Sequence, residues 1–282
     1  MIAITGATGQ LGALAVETLL KTVPARDIVA IVRNPAKAEA LTQQGVVVRQ
    51  GDYNDLPALT AALAGVDKLL LVSSSEVGQR ATQHRNVINA AKAAGVKFIA
   101  YTSLLHADKS PLGLAAEHVE TENMLAESGI PFALLRNGWY SENYLASAPA
   151  ALAHGVFIGS AGEGKIASAT RADYAAAAAQ VISTDGHAGK VYELAGDEGW
   201  TLSQLAAELS KQSGKTIAYQ NLSEADFAAA LKGVGLPDVI ANMLADSDIG
   251  ASKGGLFDDS RTLSKLTGRP TTPIATSIKG IL

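Results

Sequence analysis

Three glycines, Gly6, Gly9 and Gly12, stand three residues apart directly after an apolar stretch at the start of the chain. The sequence predicts a short buried strand over residues 1–4 and a helix over residues 11–20, so the glycines occupy the turn between them. Only residues without a Cβ let backbone N–H groups approach a pyrophosphate while the helix closes on the strand. The helix N-terminus also favours an anion. This context predicts a dinucleotide site rather than an ordinary tight turn.

Strands and helices alternate through the first half of the chain and must position these glycines. Apolar runs predict strands at residues 1–4, 28–32, 46–48, 69–72, 98–101 and 132–135. The segments between them have helical patterns at residues 11–20, 36–43, 56–63, 79–94 and 114–127. Such alternation predicts an α/β fold with a doubly wound parallel sheet, the Rossmann fold, whose ligands bind outside the carboxyl ends of the strands.

The regular alternation fades near residue 140 into segments rich in Gly and Ala. It resumes with helices near residues 172–182 and 202–213 and a strand near 191–194, and residues 223–255 are helical in pieces. We therefore predict a nucleotide-binding Rossmann domain over residues 1–140, to which the chain returns near 165–200. Residues 141–282 are predicted to form a smaller α/β substrate domain.

The residue at the end of the second predicted strand bears on the choice of cofactor. NAD-preferring versions of this fold carry an acidic residue about 20 positions beyond the glycines, but this chain has Arg33 there. A guanidinium matches a 2′-phosphate and offers no acceptor to a 2′-hydroxyl, which predicts NADPH, with NADH as a weaker alternative. A solvated arginine at a strand end is the competing interpretation.

Two further polar groups follow predicted strands. Asp52 is placed where it can accept from an adenine amine or can stabilise a turn. Ser73, Ser74 and Ser75 follow the fourth strand, where small hydroxylated residues can lie beside the nicotinamide-side ribose and phosphate, or can form a simple polar loop. The residues alone leave both alternatives open.

Composition excludes several classes of site among the 282 residues. The chain has no cysteine, which rules out disulfides, thiolate nucleophiles and cysteine-bound metals, and its five histidines have no metal-ligand spacing, so no metal is predicted. The net charge of -4 without a basic run argues against nucleic-acid binding.

No apolar run predicts membrane insertion and no targeting segment is evident, so a cytoplasmic protein is expected. The sequence leaves open whether the chain forms a homo-oligomer.

Four segments, residues 5–9, 33–35, 51–53 and 136–143, together resemble the NmrA-like atypical short-chain dehydrogenases. Within that family the chain is similar to the bacterial type-2 NAD(P)H:quinone oxidoreductases, through residues 136–143 and through residues 169–175. The resemblance implies a quinone substrate in a cleft between two domains, near the nicotinamide. It implies that the cofactor contacts are Gly6, Ala7, Thr8, Gly9, Gln10, Leu11, Arg33, Ser73, Ser74, Ser75, Asn137, Gly138, Trp139, Tyr140, Ser141, Glu142, Asn143 and, as a weaker correspondence, Arg171.

The chain departs from ordinary short-chain dehydrogenases at their Tyr-x-x-x-Lys pair, where it has Leu114 and His118. Reduction of a ketone needs a positioned acid to protonate a strongly basic alkoxide. A quinone instead gives a delocalised hydroquinone anion that solvent can protonate. The missing phenol therefore argues against alcohol or ketone chemistry and is compatible with direct, flavin-free hydride transfer, in which the protein mainly positions the reactants. It is equally compatible with no catalysis, and His118 is expected on the helix surface rather than in a proton relay.

Asn143 is the candidate catalytic residue. Its amide can donate to a quinone oxygen as negative charge develops there, while a helix-capping role is the alternative. The function predicted is that of an NADPH-dependent quinone oxidoreductase using two-electron hydride transfer. The rival from another class is a non-catalytic NADP(H)-binding redox sensor that acts through a protein partner, because the same glycines serve both. A carbonyl or alkene reductase is disfavoured by Leu114 and His118.

Overall fold

The computed structural model describes residues 1–282. The strands are β1 (Ile2–Thr5), β2 (Ile28–Val32), β3 (Val47–Gln50), β4 (Lys68–Leu71), β5 (Phe98–Leu104), β6 (Phe132–Asn137), β7 (Val156–Gly159), β8 (Val191–Leu194) and β9 (Ala218–Asn221). The α-helices are α1 (Gln10–Leu19), α2 (Glu39–Gln43), α3 (Leu56–Ala62), α4 (Arg80–Ala94), α5 (Ala115–Ser128), α6 (Ser141–Leu145), α7 (Ala148–His154), α8 (Arg171–Ser183), α9 (Leu202–Ser213), α10 (Glu224–Gly233), α11 (Asp238–Ser252), α12 (Thr262–Thr267) and α13 (Ile274–Lys279). Single 3-10 turns form at Ala25–Asp27 and Pro35–Ala38.

The main sheet has seven strands in the order β3-β2-β1-β4-β5-β6-β8. The pairs from β3 through β5 are parallel, with Ile2 opposite both Ile28 and Lys68. All five residues of β2 are buried, as expected when helices cover both faces of a parallel sheet. The strand order reverses between β1 and β4, which is the switch point at which such sheets bind ligands. The predicted doubly wound fold is confirmed.

Local sequence signals account for several helix ends. The Asp55 carboxylate accepts from the Ala58 N–H at the start of α3, and Pro57 stands in its first turn. Gly95 ends α4 with a φ of 76°. The Thr201 hydroxyl caps α9 in a capping box with Gln204. These ends fix the lengths of the helices and so the points at which the chain re-enters the sheet or leaves it.

A second sheet of two parallel strands joins β7 and β9, with Val156 opposite Ala218 and Gly159 opposite Asn221. Neither strand is predicted from the sequence. Three of the four residues of β9 are exposed, so the apolar pattern that marks a buried strand is missing.

The chain divides into two compact units. Unit 1 comprises residues 1–104, 116–136 and 171–192. Unit 2 comprises residues 105–115, 137–170 and 193–282. In unit 1, helix α1 packs on α8 and helix α3 on α4; in unit 2, helix α10 packs on α11. None of the helices combines the length and the apolar character needed to span a bilayer.

Candidate functional site

The glycine turn of unit 1 joins β1 to α1. Gly6 has a φ of 59°, in the left-handed region that favours glycine, and its carbonyl oxygen accepts from the Gly9 N–H at 2.8 Å. A Cβ on Gly9 would stand 3.1 Å from that same oxygen, and a Cβ on Gly12 would overlap it. The first glycine thus makes the turn and the third allows the helix to pack against it.

Helix α1 follows Gly9 at its N-cap position, and Gly9 has no side chain to cap the helix. Thr8, Gly9 and Gln10 are exposed, whereas Ala7 and Leu11 are buried beneath them. Free N–H groups in the first turn of a helix favour an anion. The residues present therefore fit a dinucleotide pyrophosphate, because no side chain caps the start of α1 and its first residues are exposed.

Arg33 follows the end of β2, and its side chain is 70% exposed. Its Nη1 forms an ion pair with the Glu76 Oε1 at 3.1 Å, while the Arg33 carbonyl accepts from Gln50 Nε2 at 3.3 Å. The guanidinium is therefore accessible to a ligand phosphate, but it already has a carboxylate partner. Glu76 is not predicted as a partner of Arg33 from the sequence, because no local pattern relates residues 43 positions apart.

Asp52 and Tyr53 have internal partners. The Asp52 Oδ1 accepts from the Asn54 N–H at 2.8 Å, which is the turn-stabilising alternative foreseen for it. The Tyr53 hydroxyl donates to the Val72 carbonyl at 2.6 Å and lies beside Gly6. Burial raises the pKa of Tyr53 well above its usual value, so the phenol stays protonated. Tyr53 therefore ties the segment after β3 to the end of β4, beside the glycine turn.

The serine loop after β4 is anchored by buried groups. The Ser73 N–H donates to Thr102 Oγ1 at 2.8 Å, and the Ser74 N–H donates to His84 Nε2 at 2.9 Å. The Ser74 hydroxyl donates to Gln83, whereas Ser75 is exposed. The loop is thus held in one conformation at the carboxyl end of β4, with Ser75 presented to solvent.

His84 is neutral in this anchor. Its Nε2 accepts from Ser74, so its Nδ1 carries the proton and donates to Thr121 Oγ1 at 2.9 Å. Burial, and secondly the nearby Arg80 guanidinium, lower the pKa of His84 to about 3. The acceptor that holds the serine loop therefore persists throughout the physiological pH range.

His118 does not lie on the helix surface, contrary to the expectation from the sequence. It is 6% exposed, and its Nδ1 lies 2.7 Å from the Tyr101 hydroxyl in the core of unit 1. Burial holds the pKa of His118 well below its usual value, with Arg80 and His84 contributing. The prediction was wrong because a helical pattern identifies the buried face of a helix by its apolar residues. The buried face of α5 also contains a polar residue, His118, which is hydrogen-bonded to Tyr101.

Arg136 opens the segment 136–143 on which the family resemblance rests, and it is held by Glu122. The Arg136 Nε and Nη2 donate to the two Glu122 carboxylate oxygens at 2.9 and 2.7 Å. The Ser103 hydroxyl donates to the same carboxylate at 2.6 Å. The pair is buried and bidentate, which fixes the carboxyl end of β6 relative to α5.

We expect Arg136→Met to lower the free energy of unfolding by about 3–5 kcal/mol, because it leaves the Glu122 carboxylate buried without its cation. Urea denaturation at neutral pH measures this loss. The matched control is Arg85→Met, which removes an exposed ion pair with Glu120 and should cost within about 0.5 kcal/mol. Equal losses in the two variants would contradict the structural role of the buried pair.

The predicted segment 137–143 begins unit 2. The Asn137 carbonyl accepts from the Leu105 N–H at 2.9 Å, and the Gly138 N–H donates to the Leu194 carbonyl at 2.7 Å. The Asn137 Oδ1 is buried and has no hydrogen-bond partner in the protein. Buried polar atoms are normally paired, so this oxygen is an acceptor left for a bound molecule or a water.

Asn143 is half-buried in the short helix α6, and its N–H donates to the Tyr140 carbonyl at 3.0 Å. Asn143 lies inside α6, whose N-cap is Tyr140, and the N-cap of the following α7 is Ser147, so Asn143 occupies the N-cap position of neither helix. The Ser141 hydroxyl is fully buried and pairs with Ser168 Oγ at 2.8 Å, which braces the start of α6.

The predicted site residues thus fall into both units. Residues 6–11, Arg33, residues 73–75 and Arg171, which begins α8, belong to unit 1, whereas residues 137–143 belong to unit 2. In unit 1 the structure places the glycine turn, Arg33 and the serine loop after the carboxyl ends of β1, β2 and β4, which are adjacent strands. Their contacts with a cofactor remain predictions. No group of three or more His, Asp or Glu side chains is arranged to hold a metal ion.

Comparison with known proteins agrees with this architecture. The model of the NmrA-like family matches residues 1–272. Quinone oxidoreductase 2 of Escherichia coli strain K12 is 80% identical over 278 residues, which cover 99% of this chain and 97% of that protein. The crystal structure of the NADPH-dependent quinone oxidoreductase from E. coli complexed with NADPH superposes with a TM-score of 0.98 at 79% identity, covering 100% and 99% of the two chains. Triphenylmethane reductase of Citrobacter sp., complexed with NADP(H), gives a TM-score of 0.93 at 41% identity over the whole of both chains. The chain belongs to the NmrA-like family.

Proposed function

We propose that this chain is an NADPH-dependent quinone oxidoreductase. The observation that carries the proposal is its 80% identity, over nearly the whole chain, to an E. coli quinone oxidoreductase whose NADPH complex has the same fold. The regulatory alternative is not favoured, because the similarity to an enzyme covers both units rather than the nucleotide-binding fold alone.

Unit 1 supplies the groups that would hold NADPH. The N–H groups at the start of α1, which no side chain caps, would donate to the pyrophosphate. Arg33 would donate to the 2′-phosphate, and the anchored serine loop would lie beside the ribose and phosphate on the nicotinamide side. The fixed conformation of these loops lowers the entropy lost on binding.

The chemistry needs little from the protein beyond orientation. NADPH, when bound, supplies a hydride for a two-electron reduction. We assign the Asn143 amide to the acceptor oxygen, to which it would donate a hydrogen bond as negative charge develops. Solvent would protonate the delocalised product anion, so no side chain is required as the acid. This assignment includes neither flavin nor metal.

We also propose which domain binds the cofactor and which binds the quinone. Residues 1–140, with the return near 165–200, are assigned to the cofactor, and residues 141–282 to the quinone. We further propose that the chain has no nucleic-acid partner, as expected from the charge and the absence of a basic run. A cytoplasmic location is also part of the proposal.

Oxidation of NADPH by the purified protein without added flavin tests the function. We expect saturable oxidation, followed by absorbance, with a benzoquinone and a naphthoquinone, slower oxidation of NADH, and no reaction with a simple ketone. Tight binding of NADPH without turnover on any quinone would overturn the enzymatic assignment.

Asn143→Ala is expected to lower kcat about ten- to a hundredfold, because one hydrogen bond to a developing charge is lost. The Kd for NADPH should stay nearly unchanged. Steady-state kinetics with a benzoquinone, combined with titration of NADPH, separates the two effects. Asn89→Ala, an exposed asparagine in the middle of α4, is the matched control and should leave both constants unchanged. A loss confined to NADPH affinity would place Asn143 at the cofactor instead.

A further inference from the structure

Glu76 has no role in the proposed function, but it forms an ion pair with the Arg33 guanidinium that is assigned to the 2′-phosphate. It lies in the loop after β4, and its Oε1 stands 3.1 Å from the Arg33 Nη1. The Glu76 side chain is 44% exposed, so the ion pair lies at the surface of the protein. The adenosine ribose of a bound cofactor would have to approach Arg33 from this surface. A carboxylate at this position is unexpected in a site for a phosphate.

On the side away from Arg33, the Glu76 carboxylate is hydrogen-bonded to a buried side chain. Its other oxygen, Oε2, accepts from Gln83 Nε2 at 2.8 Å, and Gln83 is only 1% exposed. The Glu76 N–H donates to Ser74 Oγ at 3.1 Å, and that hydroxyl donates to the Gln83 side chain. Most exposed ion pairs contribute little because two mobile side chains must be ordered. Here one partner is already ordered by the core, so the carboxylate is a fixed feature of the site.

The two cofactors respond differently to a fixed carboxylate. The 2′-phosphate of NADPH is an anion that would compete with Glu76 for Arg33 and would be repelled by it. NADH has a 2′-hydroxyl instead, which is a donor, and an acidic side chain near the second strand is the acceptor that NAD-binding members of this fold use. Glu76 lies near Arg33 at the end of the second strand, but it comes from the loop after β4.

We propose that Glu76 is a specificity-determining residue that restrains the preference for NADPH. Glu76 weakens the interaction of Arg33 with the 2′-phosphate of NADPH. It also offers a hydrogen-bond acceptor to the ribose 2′-hydroxyl of NADH, so that both cofactors are used. This inference rests on the proposed function, since it requires Arg33 to contact the 2′-phosphate.

Glu76→Gln tests the proposal, because the substitution removes the charge and keeps the size and the hydrogen-bonding oxygen. We would titrate the purified variant calorimetrically with adenosine 2′,5′-bisphosphate, adenosine 5′-phosphate, NADPH and NADH. The two ligands with a 2′-phosphate should bind about five- to tenfold more tightly at low salt, and the gain should shrink at high salt. The other two should bind equally or more weakly. Glu120→Gln, which neutralises a comparably exposed Arg–Glu pair between α4 and α5, should change none of the four affinities.

The Arg33→Gln variant separates failure of this inference from failure of the cofactor assignment. If Arg33→Gln leaves the affinity for adenosine 2′,5′-bisphosphate unchanged, the assignment of Arg33 itself fails. If Arg33→Gln weakens that ligand but Glu76→Gln does not tighten it, the role of Glu76 is overturned while the cofactor assignment stands. A gain from Glu76→Gln that persists in the Arg33→Gln background would also contradict the proposal, because the effect would not act through Arg33.

Discussion

Gly12→Ala is expected to reduce NADPH binding about a hundredfold or more, because it removes several backbone hydrogen bonds to the phosphates at once. The Cβ would overlap the Gly6 carbonyl oxygen, which is backbone and cannot rotate away. Helix α1 must then move from β1, and the first-turn N–H groups move with it. The same strain should lower the free energy of unfolding by about 1–3 kcal/mol. Calorimetric titration with NADPH and urea denaturation measure the two effects.

Gly233→Ala is the matched control for this substitution. Gly233 ends α10, has no heavy atom within 4 Å of the added Cβ, and does not have a positive φ. Alanine there should leave NADPH binding intact and stabilise the chain by about 0.5–1 kcal/mol. Full retention of NADPH affinity in Gly12→Ala would contradict the assignment of the glycine turn to the pyrophosphate.

The Rossmann part of the fold was predictable because its signals are local and strong. Strand β2, with five consecutive buried apolar residues, and helix α9, with its Thr201 cap, were predicted with the observed bounds. The glycine turn was equally clear, since its spacing, the strand before it and the helix after it are all adjacent in the sequence. Parallel order then follows from the alternation of strands and helices.

The second sheet and the site's polar contacts were not predictable in the same way. Strand β9 is mostly exposed and lacks an apolar pattern, and its partner β7 is far from it in sequence. The pairing of Arg33 with Glu76 and the burial of His118 against Tyr101 depend on loops, helices and strands that are separated in the sequence and brought together by the fold. Residue types identified the candidates, but only the tertiary structure gives their partners, and those partners determine charge and accessibility.

Arg33→Gln is expected to raise the Kd for NADPH roughly ten- to a hundredfold and to leave the Kd for NADH nearly unchanged, since a charge-assisted hydrogen bond contributes about 1.5–3 kcal/mol. The lower part of that range is expected, because Arg33 gives up part of its pairing with Glu76 when a phosphate binds. Arg33→Lys should recover part of the affinity, since it keeps the charge but loses the planar fork. Arg85→Gln, which neutralises an arginine of similar exposure on α4, should change neither constant. Equal losses for NADPH and NADH in Arg33→Gln would place the guanidinium away from the 2′-phosphate and would leave the cofactor preference to other groups.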